Sequence, residues 1–318
     1  MKIGVYAIAK NEAAHVEEWL QAVSEADAVC VTDTGSVDDT ADRLRDGGAA
    51  VTEYRDPFRF DEARNFALRQ AVENNPDVEI WVSLDLDEMP EKGWRAKLEA
   101  AAAEDVRGWR ITIDNGPYCF KNIRVHRAKG WIWKHACHEI LDGFGPIGDT
   151  GFKVVHKQDL SKPRNYLPLL EKDALENQKD ARAWHYLGRE YMYLQRWQDA
   201  VNALEKSLLY DQWQEQAGRA MVFLSRCYWR LNQQKAALAY AHGAVRTFCS
   251  REAWLNLAWL LDWQKDPAAC LAAEKALEIT AHGVYPDEGE TWSPATEKWL
   301  KEVADSTGCT VEGGLSTQ

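Results

Sequence analysis

No stretch of these 318 residues approaches the roughly 18–20 consecutive apolar residues needed to cross a bilayer, which excludes a helical membrane span within the sequence. The opening run, MKIGVYAIAKNE, is short, lacks a small-residue cleavage site and reads as a first strand, not a signal peptide. No CxxC pair is present. The seven cysteines, at 30, 119, 137, 227, 249, 270 and 309, are odd in number and scattered, so the expectation is reduced thiols in a cytoplasmic protein. His135, Cys137 and His138 lie close together, but their spacing matches no standard four-ligand zinc pattern. Positive charge is not in excess either. A net charge of -12, with neither half basic, argues against nucleic-acid binding driven by total charge while leaving room for a local basic groove.

What is present divides the chain in two. Up to about residue 105, short β-rich runs (2–9, 28–32, 50–54, 79–84) alternate with helical spacing (11–25, 37–46, 61–73), the pattern of a parallel sheet with crossover helices. Ser36 or Asp38 is placed to cap the second helix. The sheet is Rossmann-like, yet the GxGxxG of dinucleotide folds is missing. Strand-like runs at 109–114, 123–126, 138–141 and 152–156 complete a mixed sheet.

Beyond about residue 160 the pattern is helical and repetitive. Trp184, Leu187, Gly188, Tyr191, Ala200, Leu204 and Ser207 recur, after a shift of 37, as Met221, Leu224, Ser225, Tyr228, Ala237, Ala241 and Ala244. A third pass runs through Trp254, Leu257, Ala258, Ala269, Ala273 and Ala276. Small residues where helices must approach closely predict a solenoid of helix pairs, capped by 292–304. The tryptophans of this half are expected mainly as core knobs, with a minority on a binding face. The organisation expected is thus an α/β domain over 1–160, a linker helix over 161–180, helical repeats over 181–305 and a tail over 306–318.

Chemistry concentrates at WVSLDLDEMP, residues 81–90, where an apolar strand runs into Asp85, Asp87 and Glu88. In an open α/β sheet ligands bind beyond the carboxyl ends of the strands, and side chains at i and i+2 leave on the same face. Two hard carboxylates there suit Mg²⁺ or Mn²⁺, which in turn hold a diphosphate. The plainer alternative is an acidic loop capping the next helix, with Pro90 in its first turn. AIAKNE (7–12), DTGSVDDT (33–40) and FDEARNFAL (60–68) end or follow the three preceding strands, so four segments meet at one sheet edge.

In this order and context these segments resemble the family 2 glycosyltransferases of GT-A fold. More narrowly they resemble the subgroup in which that domain precedes tetratricopeptide repeats, as in glycocin peptide S-glycosyltransferases, with similarity also to lipopolysaccharide-core glycosyltransferases. The fold implied is an α/β GT-A domain followed by an all-α tetratricopeptide domain. The activity implied is inverting, metal-dependent transfer from a nucleotide sugar, UDP-linked by expectation. Carried over by position, the resemblance puts Asp33 on the nucleobase and the backbone near Ala9 and Glu12 around the nucleoside. It puts Arg64 and Asn65 toward the donor, Asp85 near ribose and metal, and Asp87 as principal metal ligand. His156 supplies a third ligand, and Lys162 and Arg164 reach the diphosphate. The HE pair of the resembling families falls on His138 and Glu139, with Glu139 as general base and Glu88, Asp142 and His138 as rivals.

The acceptor stays open among a peptide or protein, a saccharide and a hydroxylated DNA base. The repeats suggest the first, along with a surface for homodimerisation. Residues 118–138, with five Lys or Arg, three His and no acid, suggest a basic groove in which Trp131 and Trp133 stack on a sugar or base. A degenerate domain on a tetratricopeptide scaffold is the competing reading.

Overall fold

The apolar run near the amino terminus folds as β1 (Ile3–Ala9), nearly all of it buried, because parallel strands on both sides and helices on both faces leave it no contact with water. The computed structural model describes residues 1–102, 105–116, 119–157, 165–280 and 289–306. Within it the chain forms two units, Met1–Leu169 and Leu170–Gln318.

In the first unit, α1 (Val16–Ala22), β2 (Ala28–Asp33), α2 (Thr40–Asp46), β3 (Ala50–Glu53), α3 (Phe60–Asn74) and β4 (Ile80–Ser83) alternate as expected. They are followed by β5 (Glu88–Pro90), α4 (Trp94–Ala101), β6 (Gly108–Asp114), β7 (Cys119–Arg127), β8 (Trp131–Lys134), β9 (Ile140–Gly143) and β10 (Ile147–His156). The main sheet has the order β3-β2-β1-β4-β7-β6-β10-β5, while β8 and β9 form a separate hairpin. Strands β3, β2, β1 and β4 are parallel, and β7 joins β4 antiparallel, so the sheet is the mixed, Rossmann-like kind expected of a GT-A domain.

The departures have local causes. Helix α1 begins at Val16, later than expected, because the 11–13 backbone is claimed by the neighbouring loop. There the Asn11, Glu12 and Ala13 amides donate to Ser36 Oγ, Thr40 Oγ1 and Asp38 Oδ2. Asp38 also accepts the Thr40 amide at the start of α2. Residues 88–90 are no helix cap but an edge strand paired antiparallel with β10, where Pro90 is tolerated.

The second unit holds α5 (Leu167–Glu176, entering from the first), then the pairs α6 (Ala181–Tyr193) with α7 (Trp197–Tyr210), α8 (Gln214–Arg230) with α9 (Gln234–Thr247), and α10 (Arg251–Trp263) with α11 (Ala268–Glu278). A 3-10 turn (Gly289–Trp292) and α12 (Pro294–Ala304) follow. These are tetratricopeptide-like pairs. A Cβ on Gly188 would meet Leu204 Cγ at 2.6 Å, so glycine there lets α6 and α7 close. Gln195, Asn232 and Lys265, at equivalent positions after α6, α8 and α10, all have left-handed φ of 57–61°. Each heads a turn in which the next amide bonds back across the helix end, as Arg196 N does to Tyr191 O at 2.8 Å.

The tryptophans divide much as expected, since Trp184 is buried and Trp197, Trp229 and Trp254 pack partly buried against the repeat core. Trp19, Trp81, Trp94 and Trp109 fill the core of the first unit, whereas in the repeats the core is Ala and Leu, and Trp213, Trp259 and Trp263 are exposed. Cys270 is disulfide-bonded, contrary to the expectation of reduced thiols throughout, whereas Cys30, Cys119, Cys137, Cys227 and Cys249 are free. Among the described residues, no helix is long and apolar enough to cross a membrane.

Candidate functional site

Helix α3 buries the stripe Ala63, Arg64, Ala67, Leu68 and Ala71, a 3.6-residue period that carries one charged side chain inward with the apolar ones. Arg64 can be there because every arm of its guanidinium is paired. Nη1 and Nη2 donate to the two oxygens of Asp85 at 2.8 Å each, and Nε donates to Glu139 Oε1 at 2.6 Å. Such bidentate pairing is the geometry in which a buried arginine is stable. Burial pushes the Asp85 carboxyl up, but the charge and hydrogen bonds of Arg64, helped by Arg124 and His156, outweigh it and leave the pKa lowered to about 2.

Arg64 therefore grips Asp85 and Glu139 instead of presenting a free fork to phosphate. Asn65 is likewise not free for a donor. Its Nδ2 donates to the Trp133 carbonyl and its Oδ1 accepts the Trp133 amide, both at 2.8 Å, which fastens the β8 strand to α3.

Trp133 is the organiser that sequence reasoning mistook for a stacking platform. It is 2% exposed, with Arg64 over its ring at 4.9 Å and Arg124 at 5.7 Å. Its Nε1 donates to Tyr6 Oη at 2.9 Å, and Tyr6 Oη lies 3.1 Å from His126 Nε2. His126 Nδ1 is 2.8 Å from the Arg127 carbonyl, an acceptor only, so the proton sits on Nδ1 and Nε2 accepts from Tyr6. The chain is satisfied with a neutral imidazole. Burial, offset slightly by the Arg127 carbonyl, pushes the His126 pKa down to about 4.

A pH signature follows. In the unfolded chain His126 takes up a proton below about 6.5, whereas in the folded protein it resists until about 4, so stability falls as pH drops through that window. Urea unfolding at pH 7.5 and pH 5 is expected to show His126→Gln losing less than the wild type, by on the order of 2 kcal/mol. His156, whose pKa is raised chiefly by its hydrogen bond to Asp87, works in the opposite direction and is common to both proteins. Equal losses would refute the assignment.

The remaining acids divide. Strand β4 ends at Ser83, and 85–87 turn before β5 begins, so Asp85 and Asp87 do not serve one partner as the strand alternation implied. Asp87 Oδ2 instead meets His156 Nε2 at 3.1 Å. His156 closes β10; its Nδ1 donates to Asn115 Oδ1 at 2.8 Å, so Nε2, which faces an acceptor-only carboxylate, donates to Asp87, and that hydrogen bond raises the His156 pKa. Asn115 gave no signal in the sequence. Glu88 is buried, accepts the Asp85 amide at 2.9 Å and takes Arg124 Nη2 at 3.2 Å. Burial pushes its carboxyl up, Arg124 pulls it down, and neighbouring Asp85 adds to the rise. Arg124 Nε and Nη1 are buried without a hydrogen-bond partner, two unspent donors beside these carboxylates.

At the neighbouring strand ends, Asp33 folds back on its own loop, accepting the Gly35 and Ser36 amides at 3.1 Å, a turn role in place of the expected nucleobase contact. Ala9 gives its carbonyl to the Thr34 amide and hydroxyl, and Glu12 donates its amide to Thr40, so the loops after β1 and β2 are laced into one wall. Glu139 Oε2 has no hydrogen-bond partner among the described residues, and His138, at a left-handed φ of 54°, stands edge-on to Tyr166 at 5.8 Å. Asp142 is paired with Lys134. Lys162 and Arg164 lie outside the described residues.

Most of the basic side chains of the 118–138 stretch are engaged within the fold, although Lys129 is exposed. Lys121 pairs with Asp149, Arg124 with Glu88 and Lys134 with Asp142, Arg127 donates to the Val106 carbonyl, and His126 and His135 are buried.

Whether these residues fit a divalent cation can be tested on the donor atoms. Among the described residues no three His, Cys, Asp or Glu form a ready metal cage. Asp87 Oδ2 and His156 Nε2, however, are separated by 3.1 Å, close to the ~3.0 Å edge of an octahedron with ~2.1 Å bonds. Such an edge fits a cation that completes its shell with phosphate oxygens and water.

No protein-family model and no curated protein matches the sequence. Solved structures similar to part of the chain include the crystal structure of MamA, 20% identical over 36% of this chain and 66% of that one, with a TM-score of 0.33. Another is glucosyl-3-phosphoglycerate synthase from Mycobacterium tuberculosis in complex with Mn²⁺, uridine diphosphate and glucosyl-3-phosphoglycerate. It is 24% identical over 35% of this chain and 44% of that one, with a TM-score of 0.31. The chain thus spans less than two thirds of either protein.

Proposed function

We propose that this chain is a glycosyltransferase that moves a sugar from a nucleotide sugar, UDP-linked, to an acceptor with inversion at the anomeric carbon. The observation that carries this reading is the pairing of Asp87 Oδ2 with His156 Nε2 at 3.1 Å, at the carboxyl edge of the sheet beside an Asp85 locked by Arg64. Asp87 and His156 would hold Mn²⁺ or Mg²⁺. When bound, such a cation neutralises a diphosphate as it leaves.

The protein's own groups supply the rest. Arg124 offers Nε–H and Nη1–H, donors that an anionic oxygen would satisfy and that no described residue hydrogen-bonds. Arg64 fixes Asp85 and Glu139 in register, because a bidentate fork leaves neither carboxylate free to rotate. Glu139 Oε2 is the open oxygen of that pair. It takes the proton from the acceptor hydroxyl or thiol as that atom bonds to the anomeric carbon and the bond from carbon to diphosphate breaks. The loops after β1 and β2 would form the nucleoside wall through main-chain groups, since the Asp33 side chain is committed to its turn. Among acceptors, a peptide or saccharide is favoured, because three of the five cations in the stretch that suggested DNA are paired with carboxylates within the fold.

The test is a thermal-shift panel of UDP, GDP, CDP and TDP, each with and without Mn²⁺. A ligand at 100 times its Kd stabilises by about 2.7 kcal/mol. UDP with Mn²⁺ is expected to raise Tm, and UDP alone to do so less. No shift for any nucleotide in folded protein would overturn the reading in favour of a scaffold that no longer binds donor.

A further inference from the structure

The second unit contains a pocket of about 790 Å³ that the transferase reading does not use. Its size falls within the roughly 300–1,000 Å³ of small-molecule sites. The first helices of the three pairs, α6, α8 and α10, form one side together with Trp197 at the start of α7, and the 3-10 turn with α12 forms the other. We propose that it binds a neutral saccharide.

Three observations carry this. The first is aromatic surface. Trp197, Trp229, Trp259 and Trp299 all line the pocket, and Trp259 remains 44% exposed, whereas Trp19, Trp81, Trp94 and Trp109 of the first unit are buried in the core. Trp229 meets Trp259 edge-to-face at 5.1 Å and Trp263 at 4.5 Å, which holds the cluster rigid. Flat indole faces suit the apolar C–H face of a pyranose ring, and their rigidity lowers the entropy lost on binding.

The second is uncharged hydrogen-bonding capacity. Thr291 is 1% exposed, lines the pocket, and its Oγ1 has no hydrogen-bond partner among the described residues. A buried hydroxyl left unpaired costs free energy that a ligand hydroxyl recovers. Asn256 Nδ2 donates to Ser225 Oγ at 2.9 Å, leaving Asn256 Oδ1 without a partner among the described residues.

The third is charge. Arg226 is already engaged by the buried Glu252 at 3.1 Å, Arg230 is placed over the Trp197 ring at 5.5 Å, and Glu290 stands on the opposite side. The lining presents no single sign of charge, which fits a neutral polyol and disfavours an acidic peptide or a phosphate ligand.

This inference stands on the pocket alone and does not depend on the donor site. Full-length protein should be titrated calorimetrically, in EDTA and without nucleotide, with cellotetraose, chitotetraose and maltotetraose, and with a poly-glutamate peptide. At least one oligosaccharide is expected to bind. Trp259→Ala should weaken it about tenfold or more, and Trp213→Ala, at an exposed tryptophan outside the pocket, should not. Thr291→Val should weaken binding severalfold while leaving Tm unchanged or higher, a combination that a purely structural role for the hydroxyl would not produce. No binding by any oligosaccharide, binding insensitive to both pocket variants, or binding of the peptide alone would overturn the proposal. A positive nucleotide shift with a negative saccharide titration would sink this inference and leave the transferase reading intact.

Discussion

Asp87→Ala is expected to cut sugar transfer by roughly 10³-fold or more and to remove the Mn²⁺ dependence of nucleotide binding, while the protein keeps its fold. The activity loss follows from the position of Oδ2, 3.1 Å from His156 Nε2, because without it a cation loses half of the two-donor edge that the described residues provide. Stabilising the departing diphosphate is worth several kcal/mol in reactions of this type, which sets the scale. The fold should survive because the pair is partly solvated, with side-chain exposures of 24% and 20%, and such ion pairs contribute about 1 kcal/mol or less. The main-chain tie from Lys157 N to the Asp87 carbonyl, at 2.7 Å, is unaffected by the change. Steady-state transfer and UDP titration with and without Mn²⁺ read both effects. A variant that retains metal-dependent UDP binding would move the cation site away from β10.

Arg64→Ala is expected to be the most destabilising single change in the site, costing roughly 3–5 kcal/mol at neutral pH, the usual penalty for leaving buried charge unpaired. Asp85 and Glu139 would both lose their counter-charge, and the Trp133 ring would lose the cation at 4.9 Å. Arg64→Lys should recover only part, since a point charge cannot serve two Asp85 oxygens and Glu139 together.

The pH dependence tells this mechanism from a packing defect. In the wild type, burial raises the Asp85 pKa and Arg64, with Arg124 and His156, lowers it by more, to about 2, so its contribution is complete above the ordinary value of 3.8 and is lost as pH falls through 2. In Arg64→Ala the uncompensated carboxyl takes up its proton at higher pH. The deficit measured by urea unfolding should therefore shrink between pH 7 and pH 4. A deficit constant with pH would mean that the side chain mattered only for its volume.

Much of the fold was legible because periodicity is a local property. Parallel strands buried on both faces read as apolar runs, and tetratricopeptide pairs read as small residues at fixed spacing, so β1 through β4 and α6 through α11 fall close to where the pattern puts them. The repeat register extended even to the turns, where Gln195, Asn232 and Lys265 take the same left-handed conformation. Misplaced elements were those decided by non-local bonds. The start of α1 is set by Ser36, Asp38 and Thr40 from another loop, and β5 exists because β10 is there to pair with it.

The sequence by itself determined the two-part architecture, the acidic balance and the set of acids and cations at one sheet edge. Which of those groups face one another was decided only by the tertiary structure. A motif states that Asp85, Asp87, Arg64 and Asn65 are present, but a buried charge must find its counter-charge and a buried amide its partner wherever the packed chain supplies them. That requirement turned Arg64 from a phosphate ligand into the clamp on Asp85 and Glu139, spent Asn65 on the Trp133 backbone, and brought in Asn115 to orient His156. It also paired Lys121, Arg124 and Lys134 of the basic stretch with carboxylates, because charge read along a chain carries no record of what lies opposite it in space.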